Sequence, residues 1–102
     1  MTVKQFVTDE LQVPVTLAGN QWIVEAIEIV LDTGDYKFNQ RLSEITGKSA
    51  RQLEKPMRDA KNKSLEYMTS ATKQKIFGSK ANPTLMEYVL LSAQYYRRLY
   101  ES

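Results

Sequence analysis

NQRLSEIT-GKS-ARQLEKPMRDAKNKS, residues 39–64, is the stretch on which the fold turns. Leu42 and Ile45 stand i, i+3 apart, so both are expected on one face of a first helix. Gly47 follows, and glycine ends a helix at least cost because it takes positive φ without strain. Ser49 and Gln52 then spell S-x-x-Q, a capping box that starts the next helix. Leu53, Met57 and Ala60 predict the buried stripe of that second helix. Its opposite side is predicted to show Arg51, Lys55, Arg58 and, one turn on, Lys61. Two short helices around a Gly-Lys-Ser turn, the second basic on its free face, form a helix-turn-helix pattern.

Charge is distributed in the same sense. Residues 39–64 hold seven Lys or Arg against three Asp or Glu, a net +4, whereas the whole chain carries +2. Residues 1–38 sum to −4 and residues 65–102 to +2. A basic element on a neutral or acidic scaffold is the electrostatic footprint of a nucleic-acid binder. A basic helix face can equally be a merely solvated one. The turn glycine and the capping box, both in register, weigh toward nucleic acid.

Composition narrows the function classes. A chain of 102 residues, 42% hydrophobic and 25% charged, is expected to be one ordinary globular domain over residues 1–102. It has neither cysteine nor histidine. Disulfides, thiol nucleophiles, zinc fingers, histidine metal sites and imidazole bases are thereby removed. No paired carboxylates sit beside a nucleophile, and the Gly47-Lys48-Ser49 triplet lacks the upstream glycine of a phosphate-binding loop. No enzyme, no cofactor and no metal are therefore expected. No apolar run is long enough for a bilayer and no signal-peptide pattern opens the chain, so a cytoplasmic protein without membrane contact is expected.

The remainder reads as helix throughout. Val3, Phe6, Val7 and Leu11 predict a first short helix, closed by Val13-Pro14. Leu17-Ala18-Gly19 is read as a link, with Asn20 as the N-cap of the next helix. From Trp22 to Leu31 the pattern is strongly apolar and predicts the central core helix, ended by Thr33-Gly34-Asp35. Tyr36 and Phe38 are expected to anchor the helix that follows. After Ser64 the basic helix is predicted to gain about a turn through Leu65, Tyr67 and Met68. Thr69-Ser70-Ala71-Thr72 is read as weakening it, with a helical turn at Lys73–Phe77 before Gly78. Pro83 and a second capping box, Thr84 with Glu87, start a last helix over about 84–100. That helix is expected to bury Leu85, Tyr88, Val89 and some of Ser92, Tyr95 and Tyr96. The fold class is all-α, with five or six helices.

Several of these segments together resemble the C-terminal DNA-binding domain of the sporulation-initiating response regulator of endospore-forming bacteria, the stage-zero A regulator. The resemblance begins in E-L-x-V-P-x-x-L-x-G, Glu10 to Gly19, and continues through Ile23 and Glu25-Ala26-Ile27. It is densest at S-A-R-Q-L-E-K-P-M-R-D-A, Ser49 to Ala60, where the family shows A-x-[RQ]-[VL]-E-[RK]-x-[IM]-R-x-A. It resumes at Phe77-Gly78 and in K-A-N-P-T-x-x-E-[FY], Lys80 to Tyr88, and so spans residues 7–98. The resemblance implies an all-helical domain whose recognition helix enters the DNA major groove, as a homodimer or as head-to-tail neighbours on tandem sites. By matching positions it implies that Gln52, Glu54 and Lys55 face base edges, while Arg51 and Arg58 hold phosphates or adjacent bases. Lys or Arg can donate to guanine, Glu can accept from cytosine N4, and Gln can pair with adenine. The chain departs from the family at Pro56, where a small residue is usual, and at Asp59, where a neutral or basic one is. Proline inside a helix begun at Ala50 loses the bond to the Gln52 carbonyl and predicts a cost of ~3 kcal/mol or a kink. The connections before residue 39 and between 65 and 80 look shorter than the family's. No receiver domain is expected with this domain, nor is control by phosphorylation-driven dimerisation.

Two functions follow as expectations. One is a small stand-alone bacterial transcription regulator, of the kind mobile elements carry, that binds specific double-stranded DNA. Lys48, Arg51, Lys55, Arg58, Lys61 and Lys63 would supply its electrostatic share, with Gln52 and Glu54 among the base-facing residues. The other is an adaptor or inhibitor that keeps the helix-turn-helix fold and docks a protein, through the proline-containing helix or the C-terminal Tyr95–Tyr100 stretch.

Overall fold

Residues 1–34 and 37–100 are described by the structure, a computed structural model, and over them the chain is helical with no strand. Thr2 opens it with a capping box: its side chain accepts from Gln5 N–H at 3.1 Å, and its own N–H donates to Gln5 Oε1 at 2.9 Å. The helix α1 (Val3–Gln5) then widens into a π-helical turn, Phe6–Glu10, closed by the Leu11 N–H on the Phe6 carbonyl at 3.0 Å. The wider turn brings Phe6, Val7 and Leu11 inward together, and all three are fully buried. Gln12 ends the segment at φ 59° and ties its side-chain amide to the Asp9 carbonyl at 2.8 Å. The predicted first helix is thus present, but it closes ahead of Val13-Pro14.

The central helix α2 (Ala18–Thr33) carries the core: Ile23, Ala26 and Ile27 are fully buried, and Val24, Ile29 and Val30 nearly so. It packs most extensively against α4 and α6, and then against α3. Its start differs from the expectation. Leu17 is the N-cap, and Asn20 lies inside the first turn, buried, with Nδ2 donating to the Val13 carbonyl at 3.1 Å. Asn20 therefore satisfies the preceding loop in place of the helix terminus. Gly34 ends α2 in the left-handed conformation, φ 69°, with its N–H on the Val30 carbonyl. Asp35 and Tyr36 lie outside the described residues, so the anchoring role expected of Tyr36 falls outside them too.

Helices α3 (Phe38–Thr46) and α4 (Ala50–Tyr67) are joined by Gly47, Lys48 and Ser49. The buried stripe of α3 is Phe38 with Leu42, i, i+4. Ile45 was expected to share it, yet is 59% exposed, on the open rim of a groove that it lines with Glu25, Glu28 and Ile29 of α2. α4 is continuous through Pro56 and reaches Tyr67, a full turn beyond the basic stretch. The absent Pro56 N–H is offset by tertiary packing: Leu53, Met57 and Ala60 are all buried against the core.

Ser64 extends that stripe and is fully buried. Its hydroxyl donates to the Leu11 carbonyl and accepts from the Tyr88 hydroxyl at 2.6 Å, so one side chain ties the N-terminal turn, α4 and the last helix. Burial raises the Tyr88 pKa far above the usual tyrosine range, so it stays protonated as the donor. Next comes α5 (Ser70–Phe77), which starts earlier than expected. Thr69 caps it by accepting from Thr72 N–H at 3.2 Å, so the polar run read as a weakness is a start signal. The last helix, α6 (Leu85–Tyr100), begins with the expected box: Thr84 N–H donates to Glu87 Oε1 at 3.0 Å, and Glu87 N–H to Thr84 Oγ1 at 3.2 Å. The Lys80 ammonium, 2.6 Å from the Glu87 carboxylate, and the Thr84 N–H hold that carboxyl at about 2. In α6 Tyr88, Val89, Ser92, Ala93 and Tyr96 are buried, while Leu85 and Tyr95 are only half-buried.

The approach of α2 to α4 is the tightest in the molecule's glycine set. A Cβ built on Gly19 would lie 2.1 Å from the Pro56 carbonyl oxygen and 2.6 Å from the Ala60 Cβ. Neither obstacle is a flexible side-chain end, so the helices would have to separate. Gly19→Ala is expected to cost about 3 kcal/mol, the upper end of overpacking. Urea unfolding measures it, and a midpoint unchanged from wild type would contradict the crossing.

Candidate nucleic-acid interface

The α3–α4 turn is built by local chemistry. Gly47 sits at φ 71° and caps α3 with its N–H on the Ser43 carbonyl at 2.9 Å. The Ser43 hydroxyl donates to the Lys48 carbonyl, and the Lys48 N–H donates to Thr46 Oγ1 at 3.2 Å. Ser49 then caps α4, accepting from Gln52 N–H at 3.1 Å. The N–H groups of Gly47, Lys48 and Ser49 and the Lys48 carbonyl are bonded, so the Lys48 side chain projects from a fixed base.

On α4 the stripe Leu53, Met57, Ala60 and Ser64 faces inward, and 3.6 residues per turn places Arg51, Lys55, Arg58 and Asn62 on the opposite side. All four are exposed. Lys55 reaches Asp59 at 3.2 Å, and Arg58 reaches Glu54 at 3.1 Å. Lys63 lies to one flank, 3.5 Å from Glu66 and with its ammonium 5.8 Å from the centre of the Tyr67 ring. These pairs are solvated, with side chains 48–78% exposed, and hold little free energy against a competing phosphate. Among the described residues no hydrogen bond or ion pair engages the side chain of Lys48 or Arg51.

Two expected members stand elsewhere. Lys61 is buried, and its ammonium donates to the Pro83 carbonyl at 2.9 Å. It stands i+4 from Met57, on the margin of the inward stripe, so its long stem packs into the protein and its head joins α4 to the loop before α6. Counting one turn from Arg58 hid this; counting one turn from Met57 would have found it. Gln52 is exposed, but its Oε1 accepts from Ser49 N–H at 2.9 Å. It closes the capping box, and the base-facing role implied by the resemblance would require that bond to be given up. Lys48, Arg51, Glu54, Lys55 and Arg58 share one surface around the turn and the first half of α4, with Lys63 at its edge.

Elsewhere the surface chemistry is different. A groove of about 600 Å³ beside α2 is lined by Glu25, Glu28, Asp32, Ile29, Arg41 and Ile45, and its carboxylates repel phosphate. The C-terminal tyrosines enclose Phe6: ring centroids of Tyr95, Tyr96 and Tyr100 lie 6.3, 5.3 and 6.3 Å from it. Tyr96 is buried, and its hydroxyl donates to the Met1 carbonyl at 2.7 Å. Among the described residues no helix is long and apolar enough to cross a membrane, and no group of His, Cys, Asp or Glu could hold a metal ion. Comparison with protein-family models, curated proteins and solved structures finds no match.

Burial, and secondarily the Arg58 charge, lower the Lys61 pKa below 10.5. The unfolded chain then binds the Lys61 proton more tightly than the folded chain. Below the lowered value Lys61 carries a constant penalty; between that value and 10.5 the penalty shrinks as pH rises. The stability difference between Lys61→Met and wild type is expected to change in favour of wild type as pH climbs through that window. Parallel urea titrations at neutral pH and up to pH 10.5 check the sign, and a difference independent of pH would place the ammonium in water.

Proposed function

We propose that this chain is a small sequence-specific DNA-binding regulator that uses α3, the Gly47–Ser49 turn and α4 as a helix-turn-helix, with α4 in the major groove. The observation that carries it is the outward row of Arg51, Lys55, Arg58 and Asn62 on a helix anchored along its other side, beside a bonded turn that presents Lys48. Cations at one end of a rigid helix position it on phosphates, and the side chains between them reach base edges. The likeness of Ser49–Ala60 to the recognition helix of the stage-zero A effector domain supports the same reading. On this reading the partner is double-stranded DNA, met as a homodimer or by head-to-tail copies on tandem sites. The setting is the cytoplasm of a bacterium, with a mobile element as the source of the gene. The reading includes no catalysis, cofactor or metal.

The alternative, an adaptor or inhibitor that retains this fold, has less to draw on. Its expected C-terminal surface is largely spent on Phe6, which leaves Leu99 and Tyr100, 49% and 39% exposed, as its apolar contacts.

Selection of sites from a random duplex pool tests the proposal. The enriched sequence is expected to bind ~10³-fold or more tighter than scrambled DNA, with affinity falling steeply as salt rises. Lys48→Ala should weaken all sequences and reduce the salt slope by about 1, whereas Lys61→Met should leave the slope unchanged. Enrichment of no motif would overturn the reading.

A further inference from the structure

We propose that Arg51 is the principal base-reading residue of this surface and that the base it takes is a guanine; the inference rests on the DNA-binding reading above. The argument is one of availability on α4. Gln52 is committed to the Ser49 N–H as part of the capping box. Lys55 meets Asp59 and Arg58 meets Glu54, each one turn away on the same helix, in solvated pairs that a phosphate can displace, which suits both cations to the DNA backbone. Arg51 alone among the outward cations of α4 has no carboxylate or hydrogen-bond acceptor on its side chain among the described residues.

Its place fits the task. Arg51 is the second residue of α4, and in helix-turn-helix docking the N-terminal residues of the second helix approach base edges. Ala50 before it is small and exposed, so no bulky neighbour stands between the guanidinium and the groove. Lys48, three residues earlier in the turn, is exposed and free to take a phosphate. A guanidinium presents paired donors in a fixed fork that match guanine O6 and N7, and Lys48 as a point charge lacks that geometry. The pairs Lys55–Asp59 and Arg58–Glu54 meanwhile blunt the sequence-independent attraction of the same helix, leaving readout concentrated in its first turn.

The test compares wild type, Arg51→Lys and Arg51→Ala on the site that wild type selects from a random duplex pool. Arg51 is exposed, so the variants are expected to melt as wild type does by circular dichroism. Wild type should show a required guanine, and replacing it by 7-deazaguanine or by an A·T pair should weaken binding roughly 5- to 150-fold. Arg51→Ala should be indifferent to that replacement, and Arg51→Lys should keep a weakened guanine preference, because an ammonium can donate to O6 and N7 without the fixed fork. A wild-type motif whose every base preference survives in Arg51→Ala overturns the assignment and leaves DNA binding standing. A wild type that selects no motif overturns both.

Discussion

The contact of Gly19 with the Pro56 carbonyl and Ala60 is the constraint on which the rest of this structure depends. α2 is the core's central member and α4 is its most extensively packed neighbour, so the distance between them sets the depth of every inward side chain on α4. Backbone approach at Gly19 lets Leu53, Met57 and Ala60 reach full burial. It also gives a structural context for Pro56. A helix-interior proline is costly in isolation, but here it lies at the crossing, where packing on both sides holds the helix together. The orientation of Arg51, Lys55 and Arg58 is then a consequence, since burying one side of α4 presents the other.

Two polar ties lock α4 along its length. Ser64 joins it to the Leu11 carbonyl and the Tyr88 hydroxyl, and Lys61 joins it to the Pro83 carbonyl. All three bonds lie inside the protein, where leaving a partner unmatched would cost the full desolvation of that group. Together with the capping box at Ser49 they fix the axial position and rotation of α4. A helix that reads a groove must be held in that way, because a rotation of a few tens of degrees exchanges one row of side chains for the next. The ion pairs on its outer side are of a different kind. They are solvated, local to the helix, and exchangeable for a phosphate without disturbing the fold.

Much of the fold was legible in the residues. The apolar run of Trp22–Leu31, the stripe of Leu53, Met57 and Ala60, the boxes at Ser49 and Thr84, and the glycine stops at 34, 47 and 78 all have their helices. What escaped was decided by tertiary contact. Asn20 resembles a cap, but its side chain answers the Val13 carbonyl. Ile45 has the right spacing for burial, yet it stays on the open rim of the groove beside α2. The π-helical turn at Phe6–Glu10 serves three inward apolar residues whose spacing also suits an ordinary helix. At the candidate site the outward row was readable from period alone. Lys61 was not, because a long charged side chain on the margin of a stripe can go either way until its head finds an acceptor. Gln52 matched two roles at once, and the helix terminus claimed it.

The central claim is that duplex DNA lies across the turn and the outward row of α4. Amide chemical-shift mapping of the labelled protein against the selected duplex tests it most directly. The account predicts large changes from Lys48 through Asn62, strongest near Arg51, with Glu25 and Glu28 on α2 and Tyr96 on α6 undisturbed. Changes centred on the α2 groove or on the C-terminal tyrosines, with residues 48–62 silent, would contradict it.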